Sequence, residues 1–352
     1  MSIATEYSDL EYQENLKLRR LFFIIGGLFL LIMTLIFIFT PLDIIIVDFF
    51  YDESLGGFFV SDEQPWKFLY EQEGLIVGTL GAVSLIMILT SWITKDPELK
   101  KIGRYGWFIL MVALMGTGLL VNAMFKGYWG RPRPREYVEF GGTRQFYPVW
   151  YPAFLKLLPS ASDPHDVLNN SSFAAGHPTE FIAYIALFFV FNHPEVFVKF
   201  LGEFKTWKLK MLMVFKYLAP CLSLVGGFLM AMGRAVQGGH WPSDSMWSFG
   251  FVYITAAILY YWVFNFPKWE KANMQKWQDS EYEIPKKQPI WAGLSIFLCI
   301  CGVFMSIVWY IEYSIRPDAF LIELIAGICI DIASPIICYF AIRDLKSARS
   351  TQ

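Results

Sequence analysis

Gly233-Arg234-Ala235-Val236-Gln237-Gly238-Gly239-His240-Trp241-Pro242-Ser243-Asp244 lies between two apolar runs, Met213–Met232 and Met246–Phe264. Each run reaches or approaches the roughly 20 residues that carry a helix across a bilayer. The stretch between them is therefore a short turn at a membrane boundary. Charged groups there are costly unless they pair or do chemistry. Pro242 suits the first turn of the second helix. With that start, Asp244 stands about 6 Å further along the axis than His240, on nearly the same side. A carboxylate so placed can accept the Nδ1 proton of His240 and leave Nε2 as a nucleophile. The plainer reading is a helix cap by Ser243 or Asp244 beside an incidental histidine.

Composition supports a membrane setting. Of 352 residues, 55% are hydrophobic and 17% charged, whereas a soluble domain is about a quarter charged. A net charge of -2 points to no nucleic-acid partner. The cysteines, Cys221, Cys299, Cys301, Cys329 and Cys338, fall inside apolar runs without a CxxC pair. They read as packed or lipid-facing thiols, with no metal site or disulfide frame implied. The acids Glu6, Asp9, Glu11 and Glu14 precede the first long run, so it reads as a retained helix and no cleaved signal.

Eight candidate spans follow: Leu21–Thr40, Gly74–Ile93, Tyr105–Phe125, Thr179–Phe191 and onward, Met213–Met232, Met246–Phe264, Trp291–Tyr313 and Leu321–Ile342. The fourth is short before Asn192-His193-Pro194. Lys and Arg gather in the N-terminal segment, the 2–3, 4–5 and 6–7 loops and the tail, which all share one side if every span is real. That side is expected to be cytoplasmic. The opposite 1–2 loop holds Lys67 against Asp43, Asp48, Asp52, Glu53, Asp62, Glu63, Glu71 and Glu73. The 3–4 segment departs from this pattern, with Lys126, Arg131, Arg133, Arg135, Arg144 and Lys156 on the outer face. An anionic ligand is the simplest local reason. Its prolines exclude one long helix. Tyr147, Trp150, Tyr151 and Phe154 suggest a cap at headgroup level.

Two more clusters complete the inventory. In Lys126-Gly127-Tyr128-Trp129-Gly130-Arg131-Pro132-Arg133-Pro134, a mobile ammonium precedes guanidinium forks that grip phosphate oxygens. Snorkelling to headgroups is the competing reading. Gly176-His177 precedes Pro178 at the start of a span. Backbone N–H groups at a helix start can bind an anion, and His177 beside it is a plausible proton donor. His165 and His193 look like ordinary surface residues.

Together these residues resemble the type 2 phosphatidic acid phosphatase (PAP2) superfamily. Its pattern is Lys, six residues, Arg-Pro; then Pro-Ser-Gly-His; then Ser-Arg, five residues, His, three residues, Asp. Lys126 with Arg133-Pro134, Gly176-His177, and Arg234 with His240 and Asp244 match it in order. Ala174-Ala175 stand where the family has Pro-Ser, which removes a hydroxyl donor to phosphate, and Gly233 replaces the Ser before Arg234. The resemblance implies an all-α integral membrane protein: a six-helix bundle plus two extra C-terminal helices. The expected layout is a cytoplasmic segment at 1–20 and a catalytic domain at 21–265 with its cap at 126–178. A loop at 266–290, two further spans within 291–342 and a tail at 343–352 complete it.

The same resemblance implies the chemistry. Lys126, Arg133, Arg234 and Gly176 would hold phosphate. His240, oriented by Asp244, would attack phosphorus, and His177 would protonate the leaving oxygen and then activate water. No metal or other cofactor is expected. Trp-Gly-Arg-Pro-Arg-Pro and Gln-Gly-Gly-His look like bacterial lipid A phosphatase-type members. That implies a phospholipid or lipid A-type substrate at the periplasmic side of an inner membrane. Phosphatidylglycerophosphate and undecaprenyl diphosphate compete as substrates. A lipid phosphotransferase and a non-catalytic lipid-phosphate binder are the rival functions. Oligomeric state and the role of the last two spans are not legible.

Overall fold

The computed structural model describes residues 9–58, 63–71, 73–151, 171–191 and 206–270. The expected spans within 291–342, the tail, His165, His193, Phe154 and the four cysteines after Cys221 lie outside them. The chain divides into two units, Arg19–Ala257 and Met1–Leu18 with Ile258–Gln352. Within the described part of the second, the Tyr260 hydroxyl donates to Glu270 at 2.8 Å.

The described residues are mostly helical. The helices are α1 (Asp9–Phe39), α2 (Leu42–Asp48), α3 (Trp66–Glu71), α4 (Glu73–Ile93), α5 (Pro97–Met111), α6 (Lys126–Tyr128), α7 (Pro178–Ile182), α8 (Ile185–Val190), α9 (Thr206–Cys221), α10 (Gly227–Val236) and α11 (Pro242–Ile258). Three stretches are π-helical: Val112–Phe125, between α5 and α6; Leu222–Gly226, between α9 and α10; and Leu259–Val263, after α11.

Four helical segments are long and apolar enough to cross a membrane: Trp66–Ile93, Leu99–Tyr128, Val214–Val236 and Pro242–Val263. A fifth is counted if α1 and α2, bent by 79° at Thr40-Pro41, form one span. The described chain therefore has four to five such segments. The full count of six plus two is not reached in it. The expected fourth span is the reason on the described side. It begins at Pro178, breaks between α7 and α8, and is too short to cross within the described residues. Outward-facing Leu28, Ile32, Ile86, Trp92, Val225 and Phe228 are exposed. Such apolar surface suits lipid, where burial of side chains is not needed.

Local chemistry sets the ends that matter. Pro at the first position of α11 gives up an N–H that had no helical partner, and Asp244 in its first turn suits the positive end of the helix dipole. Asp244 Oδ2 also accepts the Trp241 N–H at 2.9 Å. At the other side of the turn, α10 ends through Gly238 at φ +58, whose N–H donates to Ala235 O at 2.9 Å. A Cβ there would sit 2.2 Å from the Phe58 ring, so both conformation and space require glycine. Phe58 belongs to a two-strand ribbon, β1 (Tyr51–Asp52) and β2 (Gly57–Phe58). Tyr51 and Phe58 pack on a buried cluster of Val47, Tyr137, Phe140, Ala235 and Trp241. Tyr137 and Phe140, in the 3–4 segment, are thus anchored in it. Tyr147 and Tyr151 are buried against each other, whereas Trp150 is exposed.

Candidate active site

The three sequence clusters meet. His177 and His240 face each other with ring centroids 6.2 Å apart. His240 is buried in the turn between α10 and α11, and His177 immediately precedes α7. Lys126 follows the long π-helical stretch, and its carbonyl accepts the Ser171 N–H at 3.1 Å. This bond ties the first cluster to the second. Arg133 donates from Nη1 to Gly239 O at 3.2 Å, which ties the first to the third. Arg234, in the last turn of α10, donates from Nη1 to Gln237 Oε1 at 2.5 Å. Its guanidinium lies 4.8 Å from the centroid of Tyr70, whose ring in turn stacks on His177 at 5.2 Å. Gly176 is buried, and a Cβ there would come within 2.5 Å of Asn122 Oδ1. Gly127, by contrast, has open space around it, so no close approach explains it.

One expected contact takes a different form. His240 Nδ1 is 3.9 Å from Asp244 Oδ2, too far for a hydrogen bond. Nδ1 instead lies 2.6 Å from the backbone carbonyl of Ser172. A carbonyl only accepts, so Nδ1 carries the proton and Nε2 keeps its lone pair. Nε2 is buried and has no hydrogen-bond partner among the described residues. Asp244 acts one step back: its Oδ2 accepts from the Ser172 hydroxyl at 2.5 Å, so it anchors the residue whose carbonyl holds the ring. The spacing of four residues set the shared face correctly. The insertion of Ser172 between the partners has no local sequence signal.

Arg131 also differs from its expected role. It was read within a basic cluster awaiting an anionic ligand. It is fully buried, and its partners are protein groups. Nη2 pairs with Asp43 Oδ2 at 2.7 Å, Nη1 pairs with Asp244 Oδ1 and donates to Ser243 Oγ at 2.8 Å, and Nε donates to Tyr147 O at 2.6 Å. Asp43 Oδ1 also accepts the Ser243 N–H at 2.9 Å. Asp43 and Tyr70 are not singled out by the sequence as site residues, and Ser243 enters it only as a helix cap. For Asp43 a signal existed: an acid beside the apolar run Ile44-Ile45-Ile46-Val47 demands a partner.

The cations shape the histidines. Burial pushes His177 down to about 3, with Arg234, Lys126 and Arg133 adding to the fall. Burial likewise pushes His240 well below its ordinary value, reinforced by Arg133, Arg234, His177 and Lys126. Both shifts favour the neutral imidazole. An anion seated among three cations would offset their field and restore basicity to the rings. The arrangement can hold a phosphate, present a neutral Nε2 to phosphorus, and keep a second imidazole within reach of a leaving oxygen.

Two comparisons with known proteins match the chain. The model described as the PAP2 superfamily matches residues 106–268. That range contains Lys126, Arg133, Gly176, His177, Arg234, His240 and Asp244, and leaves out Asp43 and Tyr70. The lipid A 4'-phosphatase of Francisella tularensis subsp. novicida (strain U112) is 29% identical over 242 residues, covering 68% of this chain and 95% of that protein. No solved structure matches the chain.

Proposed function

Taking the chain as a PAP2-type hydrolase of phosphoric esters, we propose that it removes phosphate from a membrane lipid, most simply a lipid A-type monoester, through a phosphohistidine. The observation that carries this is His240: its Nδ1 proton is committed to Ser172 O, its Nε2 has no hydrogen-bond partner among the described residues, and its ring centroid lies 6.2 Å from that of His177. Lys126, Arg133 and Arg234, with the Gly176 backbone, hold the phosphate oxygens. His240 Nε2 attacks phosphorus and the P–O bond to the lipid breaks. The charge spread over the transferring group is stabilised by the three cations. His177, protonated once the bound anion offsets those cations, gives its proton to the leaving oxygen. It then takes a proton from water, which attacks the phosphohistidine and frees inorganic phosphate. Three cations around the rings would repel a divalent ion, so the route is metal-independent.

The 4'-phosphatase name belongs to the relative and supports the substrate class. Phosphatidylglycerophosphate and undecaprenyl diphosphate are the competing substrates, since the site residues address phosphate and not the lipid. The scarcity of Lys and Arg in the 1–2 loop, against their gathering in the loops of the other side, supports a periplasmic site in an inner membrane. The test is phosphate release by the purified chain in detergent across these lipids and phosphatidic acid, with His240→Ala alongside. Release from one lipid, lost in the variant, is expected. Release only when a second lipid acceptor is added would make the chain a phosphotransferase. Binding without release, unchanged in His240→Ala, would make it a lipid-phosphate binder and refute the hydrolytic scheme.

A further inference from the structure

Asp43 lies far from the three motifs in sequence and outside the residues that the family model matches. In space it closes a buried chain of contacts that ends on the His240 ring. Asp43 binds Arg131 and both the N–H and the hydroxyl of Ser243. Arg131 binds Asp244. Asp244 accepts from the Ser172 hydroxyl and the Trp241 N–H. Ser172 O receives the His240 Nδ1 proton. Asp43 is 2% exposed, and Arg131, Ser172, Ser243, His240 and Asp244 are 0% exposed. We propose that Asp43 is a positioning residue for His240, acting through Arg131, Asp244 and Ser172 to fix the tautomer that leaves Nε2 free. The inference rests on the reading of His240 as nucleophile.

The physical reason is a division of charge. Arg131 has two carboxylates to satisfy it. Asp244 already pairs Oδ1 with Arg131, and with Asp43 on the other side of the guanidinium its Oδ2 stays with Ser172 and Trp241. Without the Asp43 charge, Asp244 is the one carboxylate left on Arg131 among the described residues, and low surrounding polarity makes that pull strong. Oδ2 is then drawn toward Arg131 as well, the Ser172 backbone loses its clamp, and the Nδ1–H and Nε2–H forms of His240 mix. An Nε2–H ring has no lone pair to attack phosphorus.

Asp43→Asn keeps the shape and removes the charge, while Asp43→Glu keeps the charge. Phosphate release is measured for both beside wild type, together with 15N spectra of histidine-labelled protein in inorganic phosphate. Asp43→Asn should lower kcat roughly 10- to 100-fold, as loss of an outer supporting partner does elsewhere, with KM unchanged. Its His240 signals should show both tautomers, and Asp43→Glu should retain more turnover than Asp43→Asn. Wild-type kcat in Asp43→Asn, or a lowered kcat with a pure Nδ1–H signal, would overturn the proposal. Should wild type release no phosphate from any lipid, the function reading fails, and the tautomer comparison still decides Asp43. If Asp43→Asn does not fold, Asp43→Ser carries the test: it also removes the charge, should lower kcat at constant KM and show both His240 tautomers, and an unaltered kcat would overturn the proposal.

Discussion

Placing one methyl group at Gly239 tests the phosphate grip without touching a charged residue. A Cβ there would lie 2.4 Å from Arg234 Nη2, 2.8 Å from Cζ and 3.1 Å from Nε. Ordinary contact begins near 3.4 Å, so the guanidinium must move by about 1 Å. It is not free to do so at no cost: Gln237 holds Nη1 and the Tyr70 ring covers its face. The three nearest atoms to the added methyl all belong to Arg234, so the perturbation is aimed at one side chain. A displacement of about 1 Å in a positioning group costs up to roughly 100-fold in rate, or about 2.7 kcal/mol. Gly239→Ala should therefore lower kcat/KM for lipid phosphate by roughly that factor, with the thermal midpoint nearly unchanged because a side chain and no backbone yields. The assay is a double-mutant cycle with Arg234→Ala. If the methyl acts through the guanidinium, adding Gly239→Ala to Arg234→Ala should change nothing further. Full activity in Gly239→Ala, or losses that multiply in the double variant, would refute the reasoning.

Three other outcomes follow from the same geometry. Ala175 is fully buried where the family pattern has a serine, so Ala175→Ser should lower KM by roughly 10-fold through one added bond to a charged phosphate; an unaltered KM would mean the hydroxyl does not reach it. His177 is held near 3 in the folded chain against an ordinary 6.5, and His240 is pushed the same way, so the unfolded chain binds more protons between those values. Their contribution to stability is whole above pH 6.5 and is lost as pH falls toward 3. Thermal unfolding should show a lower midpoint at about pH 5 than at about pH 7.5, with a smaller difference in His177→Gln. Activity should survive EDTA, and a rate that falls with chelation and returns with a divalent ion would contradict the metal-independent route.

Much of this site could be read from residue order because its chemistry is carried by short, rigid spacings. Arg234, His240 and Asp244 are fixed by one turn, and Pro242 sets where its second helix begins. Gly176-His177 is likewise fixed by Pro178. Contacts across the chain were not readable. Asp43 looked like one more acid in an acidic loop, because nothing near it in sequence shows Arg131 arriving from 88 residues away. The same blindness turned Arg131 from a protein-paired group into an expected ligand contact, and gave Asp244 a direct bond that Ser172 mediates. For the helices, hydropathy found the apolar runs but not the 79° bend after α1 or the break at Ala183-Tyr184. The bend has a local cause in Pro41, which a window average smooths over, and the break at Ala183-Tyr184 has no proline or glycine to mark it.

The π-helical run Val112–Phe125 covers 14 residues and delivers Lys126 to the site. Its composition is mostly apolar, and at an exposed position such as Leu114 substitution among Leu, Val, Met and Ala alters little of what it does. Its length is another matter. Each residue of such an i→i+5 helix turns the chain by somewhat less than the roughly 100° of an α-helix, so a single deletion there would swing the ammonium to a different azimuth while leaving hydropathy intact. The run works as a ruler, and drift in this chain is tolerated there in letters but not in count.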